Sequence, residues 1–381
     1  MERVDVAIVG AGPVGAALAA LLAPAGLSVR VLEARDSASR DARTLALSES
    51  SRELLSRVGG WPATGVTAIS DIHVSQKGGP GRTLITAVEQ GLPALGYTVA
   101  YAALEEVLAS RLAALGVTVS YGAACESIEL RPEAATLGLA GGERLVAGLL
   151  VLADGGANAR RIPGLAYSEK DYGQVAVTGP VHTDRAHAGR AYERFTPGGP
   201  VALLPVDDRY SLVWTARPAD AERICGLDDE SFLRELQAHF GDRAGRFVRA
   251  GARASFPLRL RRINTTVALR TVIVGNAAQA MHPIAGQGLN VGLRDAGALA
   301  AQLLARPAAQ IGDVATLQDY RRSRERDAGR GVAFTDFLVG AFMDDRRLPT
   351  WGRGLALAAL DLLPPARRLL ARRMIHGAPS A

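Results

Sequence analysis

The sequence is poor in cysteine and in lysine. Cys125 and Cys225 are the only cysteines among 381 residues, which excludes a disulfide framework, a cysteine-rich zinc site and an iron–sulfur cluster. Lys77 and Lys170 are the only lysines, so the net charge of +6 comes almost entirely from arginine. These arginines are dispersed and no nucleic-acid-binding motif accompanies them, so no nucleic-acid partner is expected. No metal site is predicted either, because the six histidines are scattered.

Charge is missing altogether from one stretch near the N-terminus, between Asp5 and Arg30. A hydropathy window would assign this stretch as a membrane span or a signal peptide. Acidic rather than basic residues precede it, however, and four turn-forming residues interrupt it: Gly10, Gly12, Pro13 and Gly15. We therefore expect the opening βαβ unit of a doubly wound sheet, whose buried parallel strands are uniformly apolar. Its predicted parts are strand Val4–Val9, helix Val14–Leu22 and strand Ser28–Leu32.

The rest of the chain alternates between helical and strand-like patterns. Helices are predicted over residues 44–58, 104–115, 229–240 and 289–304. Shorter strands are predicted at 68–75, 82–86 and 117–121, in a small meander over 127–146, and at 149–153. Turn signals between 175 and 220 predict an antiparallel sheet, broken by the single helix at 229–240, and the parallel pattern returns at 271–274. The α/β part is thus expected to be discontinuous, with the antiparallel sheet inserted into it.

The first glycine motif, Gly10-Ala11-Gly12-Pro13-Val14-Gly15, follows the first strand and opens a helix. Gly10 permits a tight turn, Gly12 lets backbone N–H groups approach a pyrophosphate, and Gly15 allows close packing of helix on strand. Glu33 ends the second strand, where a carboxylate hydrogen-bonds a ribose 2′-hydroxyl and repels a 2′-phosphate. The motif therefore predicts binding of FAD or NAD rather than NADP. The residues expected to bind the cofactor here are Gly10, Gly12, Pro13, Val14, Gly15, Glu33, Ala34 and Arg35.

A second glycine-rich segment follows the predicted strand at 271–274 and leads into the long helix. Glycines at a helix N-terminus expose N–H groups there, and that end carries roughly half a positive charge. Such a site suits the N1–C2=O edge of a reduced, anionic flavin, and Asn276 could reach the ribitol hydroxyls. An ordinary βα loop is the alternative, which the length and glycine density disfavour. The residues expected to bind flavin are Asn276, Pro283, Ala285, Gly286, Gln287, Gly288, Leu289 and Asn290.

A third segment, Ala153-Asp154-Gly155, follows an apolar strand. On its own, Asp-Gly after a strand indicates a turn as readily as a functional site.

Together the three segments resemble the signatures of class A flavoprotein aromatic hydroxylases, which share the fold of p-hydroxybenzoate hydroxylase. The closer resemblance is to the ubiquinone-biosynthesis hydroxylases. Residues 274–279 and 282–288 are similar to the 2-polyprenyl-6-methoxyphenol hydroxylase branch, in which Asn276 and Gln279 likewise replace a commoner Asp and His. The segments Ala191–Phe195, Gly199–Pro205 and Val213-Trp214 also resemble that branch. The resemblance covers about residues 3–340.

The resemblance implies further roles. Arg43 matches a position that contacts FAD, and Asp154 with Gly155 matches a segment that serves both FAD and NAD(P)H. Asn158 stands where relatives usually have Ser, and the arginine that many relatives carry near Tyr101 is missing. Only one Rossmann fingerprint is present, so NAD(P)H is expected to bind transiently in a groove rather than in a domain of its own.

The fold class implied is α/β (α+β overall). A Rossmann-like FAD-binding domain would comprise 1–70, 97–174 and 265–345, and an inserted antiparallel-sheet substrate domain would comprise 71–96 and 175–264. Residues 346–381 would form a C-terminal helical tail. Segment 351–376 carries five arginines against one acid, Asp361, which predicts contact with a membrane surface or a biosynthetic complex. A helix packed on the core is the equal alternative. The expected location is cytoplasmic, with peripheral attachment to the inner face of the membrane.

The function implied is hydroxylation of a polyprenyl phenol, with NAD(P)H and O₂ consumed through a C4a-hydroperoxyflavin. His282 is a candidate for the base that deprotonates the phenol, and its alternative role is to pack the loop. Candidates for the pocket wall, or equally for ordinary sheet core, are Phe195, Leu203, Pro205 and Trp214. Three alternatives stay open: another ring position or small aromatic, a flavoprotein scaffold subunit of a biosynthetic complex, and a flavin or prenyl reductase.

Overall fold

The computed structural model describes residues 2–37, 41, 43–78, 81–281 and 286–325, together with residues 363, 365, 367, 368, 371 and 372. The predictions for His282, Pro283 and Ala285, and most of those for the C-terminal tail, lie outside the described residues.

The first sheet has eight strands, numbered here along the chain: β1 (Glu2–Val9), β2 (Val29–Leu32), β8 (Thr118–Ser120), β9 (Cys125–Leu130), β10 (Ala135–Leu139), β11 (Arg144–Leu152), β18 (Val267–Ala268) and β19 (Thr271–Ile273). Its order is β18-β19-β11-β1-β2-β8, and β9 and β10 extend from β11. β1 pairs in parallel with β2 and β11, and β11 pairs in parallel with β19. The apolar N-terminal run is therefore a central strand that is buried on both faces.

The second sheet has nine strands: β5 (Asp71–Gln76), β6 (Arg82–Thr86), β12 (Tyr167–Thr183), β13 (Arg190–Phe195), β14 (Val201–Val206), β15 (Arg209–Ala216), β16 (Phe247–Ala250), β17 (Ala254–Ile263) and β20 (Gln279–Ala280). Its order is β20-β17-β12-β15-β14-β13-β5-β6, with β16 beside β12. Neighbours are antiparallel except for β13 and β5, which are parallel. The α/β class with an antiparallel sheet inserted between strands of a parallel one is confirmed.

Two helices cover one face of the second sheet, α5 (Pro218–Gly226) and α6 (Asp229–Phe240). The helix predicted at 229–240 is present with those bounds as α6, and a second helix that was not predicted, α5, precedes it and ends at the extended residue Leu227. Asp228 then caps α6 by accepting a hydrogen bond from the backbone N–H of Ser231.

A third, small sheet has the order β3-β7-β4, with β3 (Thr44–Ser48), β4 (Val66–Ile69) and β7 (Gly96–Ala100). The predicted helix at 44–58 is wrong in its first part. Residues Thr44–Ser48 pair with β7, and helix α2 (Glu49–Arg57) begins only after Ser48, whose hydroxyl accepts from the N–H of Ser51. The predicted strand at 68–75 likewise divides into β4 and β5, which belong to different sheets.

Four further helices are α1 (Pro13–Leu22), α3 (Ala87–Gln90), α4 (Tyr101–Ala114) and α7 (Gln287–Leu304), and residues 314–325 are helical as well. One apolar cluster buries α1, α4 and α7 against the first sheet, with Leu18, Leu104 and Leu293 fully buried in it. The turn from β1 to α1 and the loop from β19 to α7 therefore meet at one edge of this sheet, where its parallel strands end. Among the described residues, no helix is long and apolar enough to cross a membrane.

Two described residues of the C-terminal tail contact the second sheet. Arg367 forms an ion pair with Glu89 at 2.6 Å. Ala371 is buried in a cluster with Ile85 and Leu95. At these two positions the tail packs on the rest of the protein, in agreement with the alternative of a helix packed on the core.

Candidate active site

The turn between β1 and α1 requires glycine at two positions. Gly10 has φ +109°, and a Cβ there would lie 2.6 Å from the carbonyl oxygen of Ala153. A Cβ on Gly15 would lie 2.1 Å from the carbonyl oxygen of Gly10. Gly12 differs, because a Cβ there would meet only the hydroxyl of Tyr101, at 3.5 Å. The turn is thus tightly packed at Gly10 and Gly15 and has free space next to Gly12.

The N-terminus of α1 lies at this opening. Pro13 begins the helix, Gly12 precedes it, and no side chain caps the first N–H groups. Uncapped N–H groups and the helix dipole favour an anion at this position. The side chain of Val14 packs in the opposite direction, within 3.2 Å of a Cβ built on Gly275. The first glycine motif therefore contacts the second one directly.

Glu33 is buried at the end of β2, where both of its carboxylate oxygens are hydrogen-bonded. One oxygen accepts from the backbone N–H of Ala11 at 3.0 Å, and the other accepts from the backbone N–H of Arg35 at 3.0 Å. Burial alone would raise the pKa of Glu33, but these hydrogen bonds and the guanidinium of Arg35 hold that pKa below its ordinary value. Ala34, next in the chain, is exposed. The carboxylate is thus ionised beside the glycine turn.

Two arginines flank the same turn. The Nη2 of Arg35 donates to Glu105 at 2.7 Å as well as to Glu33. Arg43 donates to Asp41 at 2.7 Å, and its guanidinium carbon lies 5.5 Å from the ring centre of Tyr101. Tyr101 thus lies between Arg43 and the glycine turn, and sequence reasoning assigned it no role of its own.

The Asp-Gly segment forms a closed turn. One oxygen of Asp154 accepts from the N–H of Gly156 at 2.9 Å. The other accepts from both the backbone N–H and the side-chain amide of Asn158, at 2.9 and 2.7 Å. Asn158 therefore does what a hydroxyl donor in its place would do, which is to close the turn onto Asp154.

Two residues that were not predicted join this turn to the second glycine motif. Arg261 donates to the carbonyl oxygens of Gly155 and Asn276, and its guanidinium lies 4.7 Å from the ring centre of Tyr167. The hydroxyl of Tyr167 donates to the carbonyl oxygen of Ala277 at 2.6 Å. Both residues belong to the long pair β12–β17, so the second sheet holds two loops of the first.

A buried ion pair fixes the start of the second glycine motif. Asp295, in the middle of α7, accepts from the N–H of Gly275 at 3.1 Å and from Nε of Arg324 at 2.8 Å. Both charged side chains are less than a tenth exposed. Burial raises the pKa of Asp295, and the positive charge of Arg324 opposes that rise. The only hint in the sequence was an acid on the apolar face of a helix.

The N-terminus of α7 is held in place by Asn290. Its amide donates to the carbonyl oxygens of Ala46 and Gly286, at 3.0 and 2.8 Å. Its oxygen accepts from the N–H of Ser48 at 2.8 Å and from the hydroxyl of Ser51 at 2.7 Å. The side chain of Asn290 therefore ties α7 to β3 and α2 and is fully used in doing so.

The other residues of this helix end leave an open space. Gly286 adopts φ +60° and precedes α7 without a side-chain cap. Beyond it, Gln287 is nearly buried and Leu289 is partly buried. A Cβ on Gly288 would approach only Oδ1 of Asn276, at 3.9 Å, and Asn276 itself is exposed. With respect to the described residues, Gly288 and Asn276 thus border an open, electropositive space at the helix end.

The four predicted pocket residues divide between the two faces of the second sheet. Leu203 and Trp214 lie in the apolar core beneath α6, so the structure gives them the alternative role of sheet core. Phe195 lies on the other face. Tyr192 of the same strand packs into this core, and alternation of side chains along the strand places Phe195 on the opposite side. Pro205 is buried at the end of β14, and its carbonyl oxygen accepts from the hydroxyl of Thr98 in β7.

The geometry defines a class of protein. An uncapped helix beside a tight glycine turn, an ionised carboxylate and two arginines fits the pyrophosphate and ribose of a dinucleotide. A second uncapped helix end with an open cradle at Gly288 fits the polar edge of a flavin. The fold and the site together are those of a flavoprotein with a Rossmann-type cofactor domain.

Comparison with known proteins gives the family. A family model described as "FAD binding domain" matches residues 3–335. The ubiquinone hydroxylase UbiL of Rhodospirillum rubrum is 36% identical over 380 residues, which cover 97% of this chain and 88% of that protein. The 3-demethoxyubiquinol 3-hydroxylase of Escherichia coli is 32% identical over 309 residues, which cover 78% and 79%. The crystal structure of p-nitrophenol 4-monooxygenase PnpA from Pseudomonas putida shares the fold, with a TM-score of 0.80 at 19% identity over the whole of both chains.

The chain belongs to the FAD-dependent hydroxylases of ubiquinone biosynthesis. It is an FAD-dependent aromatic-ring monooxygenase that acts with NAD(P)H and O₂. The predicted class of enzyme and the predicted cofactor are thereby confirmed. The individual cofactor-binding residues stay predictions; Pro283 and Ala285 lie outside the described residues, and the side chain of Asn290 is already used in hydrogen bonds within the protein.

Proposed function

We propose that the protein hydroxylates the ring of a polyprenyl phenol of the 2-polyprenyl-6-methoxyphenol type. The observation that carries the proposal is an apolar wall on the face of the second sheet away from α5 and α6. It is formed by partly exposed side chains of β5, β14 and β15, on either side of β13: Ile72, Val74, Ala202, Leu204 and Val213. The opposite face of these strands is fully buried under the helices.

The wall favours an uncharged substrate. In the central positions of these described strands, no arginine, lysine or histidine lies on this face. A carboxylate-bearing aromatic would therefore lose its hydration without gaining a partner, which costs several kcal/mol. A methoxyphenol with an apolar tail loses little on entering such a site. The name of the E. coli relative, a 3-demethoxyubiquinol 3-hydroxylase, supports the same substrate class.

The wall is connected to the proposed flavin site through the small sheet. The hydroxyl of Thr98 donates to Pro205 at the end of β14, and the N–H of Asp207 donates to Thr67. At the other side of the same sheet, Ala46 contacts Gly286 and Asn290. The three-stranded sheet thus spans the distance from the apolar wall to the N-terminus of α7.

The chain's own part in the reaction is binding, orientation and exclusion of water. The α1 N-terminus with Arg43 would hold the FAD pyrophosphate, Glu33 the ribose, and the α7 N-terminus with Asn276 the flavin. When bound, FAD would supply the transfer of electrons from NAD(P)H to O₂, one atom of which enters the ring while the other leaves as water. An apolar wall keeps water from this oxygen and presents the ring edge to it.

The test uses purified, FAD-loaded protein with a short-tail 2-prenyl-6-methoxyphenol under ¹⁸O₂. We expect the phenol to stimulate NAD(P)H oxidation and one labelled hydroxyl to enter the ring, at a carbon that product analysis identifies. 4-Hydroxybenzoate, which carries a carboxylate, is expected to give neither. With FAD bound, a failure of both readouts would contradict this substrate and favour another aromatic or a scaffold role.

A pair of variants tests the wall itself. Leu204→Arg places a cation in the wall, while Val88→Arg makes the same change at a position that is 88% exposed. We expect the wall variant to lose at least about tenfold in kcat/KM for the prenyl phenol, because a hydrated guanidinium would exclude an apolar ring from the wall; tenfold corresponds to about 1.4 kcal/mol. The exposed variant should be unchanged. Equal activity of the two variants would remove the wall from the substrate site.

We also propose that the tail segment 351–376 brings the enzyme to the inner surface of the cytoplasmic membrane, where a polyprenyl substrate resides. Its excess of arginine and its apolar residues support this. Co-sedimentation with anionic vesicles at low salt, but not with neutral vesicles, is expected. No difference between the two would contradict attachment through charge.

A further inference from the structure

One carboxylate lies in the apolar wall. Glu193 is in the middle of β13, between Val74 of β5 and Ala202 of β14. Its neighbour Tyr192 packs into the core beneath α6, with its ring centre 5.7 Å from that of Phe240. Because successive side chains of a strand point to opposite faces, Glu193 points to the wall side.

Glu193 has no partner among the described residues. No hydrogen bond or ion pair to its carboxylate is formed there, although the side chain is only partly exposed. On this face the flanking strands contribute Ile72, Val74 and Gln76 from β5, and Ala202, Leu204 and Val206 from β14. Arg209, at the far end of β15, also lies on this face, and it is 3.8 Å from both Asp207 and Asp208.

The surroundings make Glu193 a poor place for a permanent negative charge. Burial without a compensating cation raises the pKa of Glu193 to about 7. A carboxyl with a pKa near the working pH is ionised often enough to accept a proton and basic enough to hold it. Structural carboxylates of this protein are instead paired, as Glu33 is with Arg35 and Asp295 with Arg324.

We propose that Glu193 is the general base that accepts the proton of the substrate's phenolic hydroxyl. This rests on the proposed function, since it requires a phenol against the wall. The O–H bond of the phenol breaks, its electron pair stays on the phenolic oxygen and enriches the ring, and a new O–H bond forms on a Glu193 oxygen. The base becomes a neutral acid, which suits an apolar wall, and it returns the proton to water after product release.

The test compares two phenols of different acidity in the wild type and in Glu193→Gln. One is the short-tail methoxyphenol, which is un-ionised at the assay pH; the other is a nitro-substituted analogue, which is already ionised. The variant should lose about 10²–10⁴-fold in hydroxylation of the first, the usual contribution of a general base. For the second it should stay within about tenfold of the wild type, because no proton remains to be removed.

Four controls keep the result interpretable. Glu133→Gln makes the same change at an exposed position in the β9–β10 loop and should leave both rates unchanged. FAD absorbance and the melting temperature report whether Glu193→Gln is loaded and folded. Because both phenols are assayed on one preparation, the ratio of the two rates does not depend on the fraction loaded. Glu193→Asp, which keeps a carboxylate, should recover part of the lost rate.

The pH profile gives a further readout. With the un-ionised phenol, the wild-type rate should rise as pH passes through about 7, where Glu193 loses its proton. In Glu193→Gln this rise should vanish. An equal loss on both phenols, or no loss on either, would overturn the role of Glu193 while the proposed function stood. Product from neither phenol with wild-type enzyme would overturn the proposed function and this role together.

Discussion

The carboxylates beside the cofactor turns of the first sheet and Glu193 of the second sheet have opposite surroundings. At the edge of the first sheet, Glu33, Glu105 and Asp295 are buried and each contacts an arginine. In the second sheet, Glu193 lies among apolar side chains without a cation among the described residues. The difference indicates that charge is neutralised where the chain must hold a cofactor loop in one position. The Glu193 carboxylate is unpaired among the described residues, on the face where we propose that the substrate binds.

The largest effect should come from breaking the buried pair Asp295–Arg324. Arg324→Met leaves Asp295 buried without its cation, and we expect a loss of about 3–5 kcal/mol in the free energy of unfolding. The double change to Asp295→Leu and Arg324→Met should cost less, because no charge is then left unpaired. Urea unfolding measures both. A single variant that lost less than about 1 kcal/mol would show that the pair does not hold this region.

The glycine turn is the next most sensitive feature. Gly15→Ala places a methyl group 2.1 Å from the carbonyl oxygen of Gly10, so the backbone must shift. We expect about 1–3 kcal/mol of destabilisation and a clear loss of bound flavin absorbance. Gly226→Ala is the matched control, because a Cβ at Gly226 would meet nothing within 4 Å. Equal flavin content in the two variants would argue that the turn does not shape the cofactor site.

The pH dependence of stability should have opposite signs in the two sheets. The pKa of Glu193 rises from 4.5 to about 7 on folding, so the folded state keeps a proton that the unfolded state has lost. Relative to Glu193→Gln, the wild type should therefore lose on the order of 1–3 kcal/mol as pH rises through this window. Denaturant unfolding at several pH values measures the difference.

Glu33 provides the contrasting case. Its pKa is lowered on folding, so its contribution to stability is fully present above its ordinary pKa of 4.5. That contribution is lost as pH falls through the lower, folded-state value. At pH 7 the wild type should have a higher free energy of unfolding than Glu33→Gln, but a lower one than Glu193→Gln. Both differences should shrink on acidification. The same sign at pH 7 for both variants would contradict the comparison.

The smallest effect is expected at the bridge between the sheets. Tyr167→Phe removes the hydroxyl that donates to Ala277 at 2.6 Å and keeps the ring beneath Arg261. We expect a loss of about 1 kcal/mol in unfolding free energy, the usual net value of one hydrogen bond. Tyr121→Phe, at an exposed tyrosine, should have no effect. No difference between them would show that the bridge rests on the arginine alone.

The cofactor turns were predictable because their requirements are local. Gly10 adopts a positive φ, and there is no space for a side chain at Gly15. Only glycine satisfies either condition, so the sequence itself marks both positions. The error over 44–58 has the opposite cause. Thr44–Ser48 becomes a strand because it pairs with Gly96–Ala100, about fifty residues away, and no local pattern contains that partner.

The residues that sequence reasoning missed are also set by distant partners. Asp295 meets Arg324 only because α7 folds back against the residues that follow it. Alternation within Ala191–Phe195 places Glu193 opposite Tyr192, but which of the two faces the helices cover is decided by α5 and α6. From the sequence one could predict that Glu193 points to the face opposite Tyr192. One could not predict that no cation among the described residues lies beside it.

The second sheet is inserted in sequence between parts of the first, and this determines the order in which the first can fold during translation. β1 and α1 are made first, but α7, which packs on α1, follows all nine strands of the second sheet. During translation, the early βαβ unit must therefore persist without its covering helix until the last third of the described chain has emerged. If FAD binds across both glycine motifs as predicted, it would stabilise only chains that have reached this stage. Retention of the flavin thus distinguishes completed polypeptides from truncated ones.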